Sequence, residues 1–305
     1  MGRELRILLV AEDSAGVQTL RALGRTDHRV VAVMASPPDP TARHATVAGV
    51  AAAAGYDLWP AAEVADPGTA DRIRAADVDL LINVHSLFII HADVLRAPRI
   101  GAFNLHPGPL PGYAGLNTPS WAISRGEARH GVTVHWMTAG IDTGPVAYAE
   151  DFPIGAEDTG LGVSATCVRR GVPLVMRLVD AAAGDPSSIP AIAQDPAARR
   201  YFHSGPPHDG TLSWDAPARA VADLVRACDY SPLTSPWGSP TGRLGSVDAA
   251  IVSASRTGRP SEAPPGTIGE VSDLGVEVAC ADEWVLVRRC QMDGRSVPAH
   301  TLLGA

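Results

Sequence analysis

The chain of 305 residues contains no lysine, so all 25 of its basic side chains are arginine. This absence excludes enzymes that depend on a lysine amine, such as Schiff-base and pyridoxal-phosphate enzymes, and phosphate-binding loops that end in Gly-Lys-Ser/Thr. Acidic residues outnumber the arginines, which gives a formal net charge of -8 at pH 7. Because polyanion affinity comes largely from basic side chains, this balance argues against a nucleic-acid partner.

Cysteine is also scarce, and long apolar runs are missing. The four cysteines form no Cys-x-x-Cys pair, which argues against a disulfide framework or a zinc cage. No apolar run reaches the roughly 20 residues that span a bilayer, and acidic residues interrupt the N-terminus before a signal-peptide core could form. We therefore expect a cytoplasmic protein without a membrane segment.

Short apolar runs alternate with helical patterns through the first half of the chain. Leu80 to Val84 and Gly101 to Leu105 are bounded by Pro, Gly and Asp, as buried parallel strands are. Earlier runs at 5–10 and 30–34 are each followed by a helical pattern, which predicts an α/β domain with a doubly wound, mostly parallel sheet. The pattern Gly-x-Gly-x-x-Gly is absent, so a dinucleotide cofactor is not expected.

The second half predicts a domain boundary. Residues 159–183 follow a helical pattern that Gly171 and Pro173 interrupt. Several short β-like runs near the C-terminus, separated by Gly and Pro, predict a smaller β-rich, barrel-like domain of the OB type. We thus expect an N-terminal domain over residues 1–190, a linker over 191–207 and a C-terminal domain over 208–305.

Residues 103–142 contain the most informative motifs, from AFNLHPGPLPGYAG to TAGIDTGP. Alternation along a strand sends Asn104 and His106 to the same side, at the carboxyl end where open α/β sheets bind ligands. Three prolines and three glycines then occur within residues 107–115, which predicts an ordered loop. By contrast, four other histidines lack the spacing of metal ligands, so we interpret them as solvated or core residues and predict no metal site. They are His85, His91, His130 and His135.

The order of NLH, LPGYAG, GVTVHWM and AGIDTG resembles the formyltransferases that use 10-formyltetrahydrofolate. That family includes methionyl-tRNA formyltransferase, glycinamide ribonucleotide transformylase and sugar-nucleotide formyltransferases. PPHDGTLSWDAPARAVADLVRACD is similar to the start of the barrel-like C-terminal domain of some members, so the resemblance covers nearly the whole chain. It implies the family's Rossmann-like fold, a catalytic N-terminal domain and formyl transfer.

The resemblance carries the family's catalytic residues onto Asn104, His106 and Asp142. An amine that attacks a formyl carbon creates an oxyanion, which an amide N–H and an imidazolium can each stabilise by about 3 kcal/mol. A nearby carboxylate can orient the imidazole and relay the proton that the amine loses. A single histidine at a strand end is more often structural, and Asp142 alone could be a turn residue. Their occurrence together in the family's order favours catalysis.

The resemblance also implies two binding regions. The folate pterin is expected against the backbone of two loops, formed by Ser86, Leu87, Phe88, Ile89 and Ile90 and by Thr138, Ala139, Gly140 and Ile141. The acceptor amine is expected in a cleft beside His106 that is lined by Tyr113, Leu116 and Asn117.

Departures from the family pattern bear on the acceptor. Ala114 and Leu116 stand where relatives have arginines, so two natural anchors for a phosphate are missing. Relatives usually have Ser-Leu-Leu-Pro where this chain has Gly-Pro-Leu-Pro at 108–111. LPGYAGLNTPSWAI is instead similar to formyltransferase-like domains of nonribosomal peptide and other specialised-metabolite pathways. This predicts a small or carrier-bound amine as acceptor.

Three alternatives remain. A methionyl-tRNA formyltransferase would need a basic surface and an extended basic loop after the second strand, where this chain has only ASPPDPTARH. A nucleotide amino-sugar formyltransferase would need other anchors for the phosphates. A non-catalytic binding protein would not need Asn104, His106 and Asp142. The sequence leaves open the oligomeric state and whether the transferred one-carbon unit is formyl.

Overall fold

A computed structural model describes residues 2–37 and 44–303. The loop after the second predicted strand lies mostly outside these described residues. By internal contacts the chain forms two compact units, each assembled from segments that alternate along the sequence. The first unit consists of Met1–Ala114, Gly131–Asp151 and Thr166–Tyr201. The second consists of Gly115–His130, Phe152–Ala165 and Phe202–Ala305.

Helices and strands alternate through the first part of the chain. The elements are β1 (Arg6–Ala11), α1 (Asp13–Leu23), β2 (Arg29–Ala35), α2 (Val47–Ala53), β3 (Leu58–Pro60), α3 (Thr69–Ala75), β4 (Leu80–Val84), α4 (Ala92–Leu95), β5 (Gly101–His106), β6 (Ala114–Gly115), α5 (Thr118–Ser124), β7 (Arg129–Trp136), β8 (Val146–Pro153) and α6 (Gly160–Gly184). They form a seven-stranded sheet in the order β3-β2-β1-β4-β5-β7-β8. Strands β3, β2, β1, β4 and β5 pair in parallel, whereas β7 is antiparallel to β5. The predicted mostly parallel sheet is therefore confirmed.

Both faces of this sheet are covered by helices. Along β1, Ile7 and Leu9 pack into one apolar cluster with α1, α2 and α6. Leu8 and Val10 point the other way, into a cluster with α3 and α4. Burial on both faces explains why these strands are continuous apolar runs in the sequence.

Helix α6 continues through the glycine and proline that were expected to interrupt it. Gly171 lies against the sheet, where an added Cβ would be 2.7 Å from Leu105 Cδ1 and 3.0 Å from Val132 Cγ2. The glycine therefore lets α6 approach β5 and β7 closely. Tertiary packing outweighs the local helix-breaking tendency at this position.

The second unit is rich in antiparallel strands. Its remaining elements are β9 (Tyr201–Phe202), α7 (Ala218–Ala227), β10 (Thr241–Leu244), β11 (Val247–Pro260), β12 (Ile268–Ser272), β13 (Gly275–Ala279), β14 (Glu283–Met292) and β15 (Arg295–Pro298). Strands pair in the order β10-β11-β14-β13-β12, and β15 pairs with β14. Helix α7 packs on this sheet through Val221, Leu224 and Val225. The predicted β-rich C-terminal region is confirmed, and its pairing path is open in the described residues.

No helix within residues 2–37 and 44–303 combines the length and the apolar character needed to cross a membrane.

The close approach of α6 to the sheet gives a stability prediction. We expect Gly171→Val to lower the free energy of unfolding by about 1 to 3 kcal/mol, because the larger side chain overpacks the contact with Leu105 and Val132. Urea denaturation measures this change. Gly184→Val at the end of the same helix is the control, since no atom lies within 4 Å of a Cβ added there. Equal losses in the two variants would contradict the close packing at Gly171.

Candidate active site

Three polar side chains align across three neighbouring strands of the first unit. In the sheet register, Asn104 on β5 lies beside Asn83 on β4 and opposite His135 on β7. Asn83 Nδ2 donates to Asn104 Oδ1 at 2.8 Å, and Asn104 Nδ2 lies 3.1 Å from His135 Nε2. This row of Asn83, Asn104 and His135 fixes the orientation of the Asn104 amide.

The ring of His135 has a defined tautomer in this row. Its Nδ1 lies 2.8 Å from the carbonyl oxygen of Trp136, and a carbonyl can only accept, so Nδ1 carries the proton. When the ring is neutral, its Nε2 is the acceptor for the amide of Asn104. This arrangement leaves Asn104 with a second amide N–H that makes no hydrogen bond to another described residue.

His106 is buried at the end of β5, with 3% of its surface exposed. Its Nε2 lies 2.6 Å from the carbonyl oxygen of Tyr113 and therefore carries a proton when the ring is neutral. The loop between these residues is held by Thr133, whose Oγ1 donates to the Gly108 carbonyl and accepts from the Leu110 N–H. The predicted ordered Pro/Gly-rich loop thus supplies the partner that fixes the His106 tautomer.

Asp142 lies between two imidazoles, with 9% of its surface exposed. Its Oδ2 is 3.7 Å from His106 Nδ1, and its Oδ1 is 3.5 Å from His135 Nε2. The structure therefore brings the three predicted catalytic residues, Asn104, His106 and Asp142, into one cluster. It also places His135 in this cluster, as a buried histidine with 2% of its surface exposed. Alternation along β7 predicts only the face on which His135 lies, whereas the antiparallel register places it opposite Asn104.

Burial lowers the pKa of His106, and the charge of His135 acts in the same direction. The carboxylate of Asp142 and the hydrogen bond to Tyr113 oppose this shift without reversing it. The ring is therefore neutral at neutral pH, with the lone pair of Nδ1 facing Asp142. The sequence predicts an imidazolium at this position. In the free protein burial disfavours that charge, so the imidazolium forms only during proton transfer.

A third histidine, His85, directly follows β4. Burial lowers the pKa of His85. The charge of Asp13 raises this pKa, and that of His106 lowers it further. Its Nδ1 is 3.9 Å from Asp13 Oδ2, and its backbone has a left-handed φ of 60°. His85 is thus electrostatically linked to the cluster.

The two loops expected to hold the folate are largely exposed. After β4, Leu87 and Ile89 are 71% and 73% exposed, whereas the Ile90 side chain packs into the apolar core. The second loop, 138–143, is closed by a hydrogen bond between the hydroxyls of Thr138 and Thr143. Apolar side chains on an accessible loop, Ile141 among them, are available for contact with a planar ring.

The three residues expected to line the acceptor cleft fall in different units. Tyr113 is buried in the first unit, where its carbonyl accepts from His106. Leu116 and Asn117 belong to the second unit. There Leu116 is exposed, and Asn117 Nδ2 donates to the carbonyl of Ser204 at 2.7 Å.

No group of three or more His, Cys, Asp or Glu side chains in the described parts of the chain could hold a metal ion.

Two family profiles match this chain. The profile described as "Formyl transferase" matches residues 5–171, and that described as "Formyl transferase, C-terminal domain" matches residues 206–304. The chain belongs to the formyltransferase family. Members of this family are enzymes that transfer formyl groups, so the predicted family and enzyme class are confirmed.

Several known proteins are similar to this chain in sequence or in fold. The methionyl-tRNA formyltransferase of Synechococcus sp. (strain JA-3-3Ab) is 33% identical over 252 residues, which are 81% of this chain and 76% of that protein. An N-formyltransferase from Helicobacter canadensis, solved with folinic acid and dTDP-3-aminofucose, has a TM-score of 0.68 at 15% identity and covers 93% of this chain and 98% of its own. HypX from Aquifex aeolicus, solved with tetrahydrofolic acid, has a TM-score of 0.62 at 17% identity and covers 99% of this chain and 47% of its own. At such identities the two solved structures show the shared fold.

The electrostatics of the formyltransferase cluster can be tested by titration. We expect the His106 ring to titrate below its ordinary pKa of 6.5, because burial disfavours the charged form. Asp142→Asn should lower the pKa of His106 further, since it removes the carboxylate that raises it. NMR of histidine-labelled protein measures both values, with His106→Gln to assign the signal and exposed His208 as the internal control. A pKa above 6.5 in the unaltered protein would contradict this account.

Proposed function

We propose that this protein is an N-formyltransferase that moves a formyl group from 10-formyltetrahydrofolate to the amine of a small or carrier-bound acceptor. The observation that carries the proposal is the buried cluster of Asn104, His106 and Asp142, with Asp142 Oδ2 3.7 Å from His106 Nδ1. Each residue type in it has a distinct task in acyl transfer to an amine.

The geometry of the cluster supports the following tasks. Neutral His106 has its lone pair on Nδ1, so this atom accepts the proton that the amine loses as it attacks the formyl carbon. Asp142 then faces the new imidazolium and stabilises its charge. The uncommitted N–H of Asn104 donates to the oxyanion of the tetrahedral intermediate. When the bond from the formyl carbon to N10 of the donor breaks, His106 returns the proton to that nitrogen.

Two observations support folate as the formyl donor. The Helicobacter canadensis and Aquifex aeolicus proteins of the same fold were solved with folinic acid and tetrahydrofolic acid. In this chain, the loops 86–90 and 138–141 follow strands on either side of β5 and expose apolar side chains. We therefore propose that these loops bind the pterin and that the donor requires no metal ion.

The arginines of the C-terminal region support a small acceptor. Residues 208–305 contain eight arginines against twelve acidic residues, a formal charge of −4. Five of these arginines form ion pairs with carboxylates of the same region. They are Arg219, Arg226, Arg243, Arg256 and Arg259. A paired guanidinium has less capacity to neutralise a phosphate, so this region is poorly suited to hold an RNA backbone.

The region around Tyr113 supports the same conclusion. Ala114 is fully buried, and Leu116 exposes an apolar side chain where relatives have an arginine. Together with the similarity of LPGYAGLNTPSWAI to domains of specialised-metabolite pathways, this favours an amino acid, a peptide or a tailored metabolite as acceptor. The second candidate is formylation of aminoacyl-tRNA, which is favoured by the identity of 33% to the Synechococcus enzyme.

The catalytic assignment predicts large losses on truncation. We expect Asn104→Ala, His106→Ala and Asp142→Ala each to lower formyl transfer at least about a hundredfold, because each removes a transition-state interaction. The control is His91→Ala. His91 is the half-exposed N-cap residue of α4 and is not part of the cluster of Asn104, His106 and Asp142. Circular dichroism should show that all four variants remain folded. Near-normal transfer by the His106 variant would refute the assignment.

The acceptor class can be tested by comparing formyl transfer to different acceptors. We expect transfer to members of a panel of amino acids, carrier-bound aminoacyl groups and nucleotide amino sugars, and negligible transfer to charged initiator tRNA at about 0.1 M salt. The full chain is used because its two units consist of alternating segments. Binding of 5-formyltetrahydrofolate, followed by calorimetry, tests the donor independently. Efficient transfer to tRNA with a steep salt dependence would overturn the small-acceptor proposal.

A further inference from the structure

The backbone of Asp142 is held in an unfavourable conformation. Its φ is 54°, in the left-handed region that L-residues other than glycine rarely adopt. Such a conformation persists only where the surrounding structure over-determines it. The residues that hold the loop around Asp142 therefore decide where its carboxylate lies.

Gln194 makes two hydrogen bonds to this loop from 52 residues away along the chain. Its Nε2 donates to the carbonyl of Asp142 at 2.9 Å and to the carbonyl of Gly144 at 2.6 Å. Both acceptors are carbonyls, so only the NH2 of the amide, and not its oxygen, can face them. Within residues 2–37 and 44–303, the buried Oε1 has no hydrogen-bond partner, so the contacts of this amide to the loop are made by its NH2 group.

Neighbouring residues attach the same segment to both sides of the loop. Arg199 donates to the carbonyl of Ile141 at 3.1 Å. At the start of β8, Val146 and Ile192 exchange two backbone hydrogen bonds of 2.8 and 2.9 Å. The segment 192–199 therefore fastens the loop before, at and after Asp142. It lies between the two matched family profiles, which end at 171 and begin at 206.

We propose that Gln194 is a positioning residue, which holds the loop so that the carboxylate of Asp142 lies between His106 and His135. Its role in catalysis rests on the proposed function, whereas its role in placing the carboxylate does not. Gln194 acts through the backbone of Asp142 and does not touch the reacting atoms.

The first test uses the free protein and needs no substrate. Gln194→Met keeps the length of the side chain and removes both donors. Besides Asp142, the charged or polar groups that face His106 are His135, His85 and the carbonyl of Tyr113. Since the carboxylate raises the pKa of His106, its displacement should lower that pKa, in the same direction as Asp142→Asn. NMR titration measures the shift, and Gln18→Met, on an exposed position of α1, should leave it unchanged.

The second test is a double-mutant cycle on formyl transfer, with the amine that the acceptor panel shows to be turned over fastest. We expect Gln194→Met to lower kcat about tenfold or more. In the Asp142→Asn background, Gln194→Met should lower kcat less than about twofold, because the carboxylate that Gln194 positions is already absent. Additive losses, or an unchanged pKa of His106 in Gln194→Met, would overturn the proposal.

Two controls separate the possible failures. If Gln194→Met does not fold by circular dichroism, Gln194→Asn keeps an amide that is too short to reach both carbonyls and is expected to give the same pKa shift. If Asp142→Asn keeps full activity, the proposed function fails, and the titration still decides whether Gln194 positions the carboxylate.

Discussion

The site depends on a buried carboxylate that shares its surroundings with two imidazoles. An isolated charge is costly to bury, and near the carboxylate of Asp142 lies the ring of His106, which can take up a proton. Burial of the His106 ring resists that proton in the free protein. The carboxylate of Asp142 and the burial of the ring therefore act on the pKa of His106 in opposite directions.

Much of the fold could be predicted because its strands are buried on both faces. Leu80 to Val84 and Gly101 to Leu105 are short apolar runs bounded by Pro, Gly and Asp, which is typical of buried parallel strands. The short strands Thr241–Leu244 and Arg295–Pro298 were not predicted, because their residues are mostly polar and their existence depends on distant partners. The helical pattern of α6 was predicted, whereas its continuity through Gly171 and Pro173 was not.

The site was predictable to the extent that it is local. Alternation along a single strand places Asn104 and His106 on the same side, whereas their catalytic roles and that of Asp142 were inferred through the family resemblance. His135 and Gln194 escaped because their contacts arise from the antiparallel register of β7 and from a hydrogen bond across 52 residues. Register and long-range contacts are properties of the folded chain, and one sequence does not display them.

The alternation of segments between the two units limits how this enzyme could be recombined with its relatives. Within the second unit, the Ser120 hydroxyl lies 3.0 Å from the Tyr230 hydroxyl, and Trp121 stacks edge-on against Trp237. A chimera that exchanged only the tail after the linker would leave α5 facing a foreign surface. The packing of the second unit is consequently preserved only when its three segments are exchanged together.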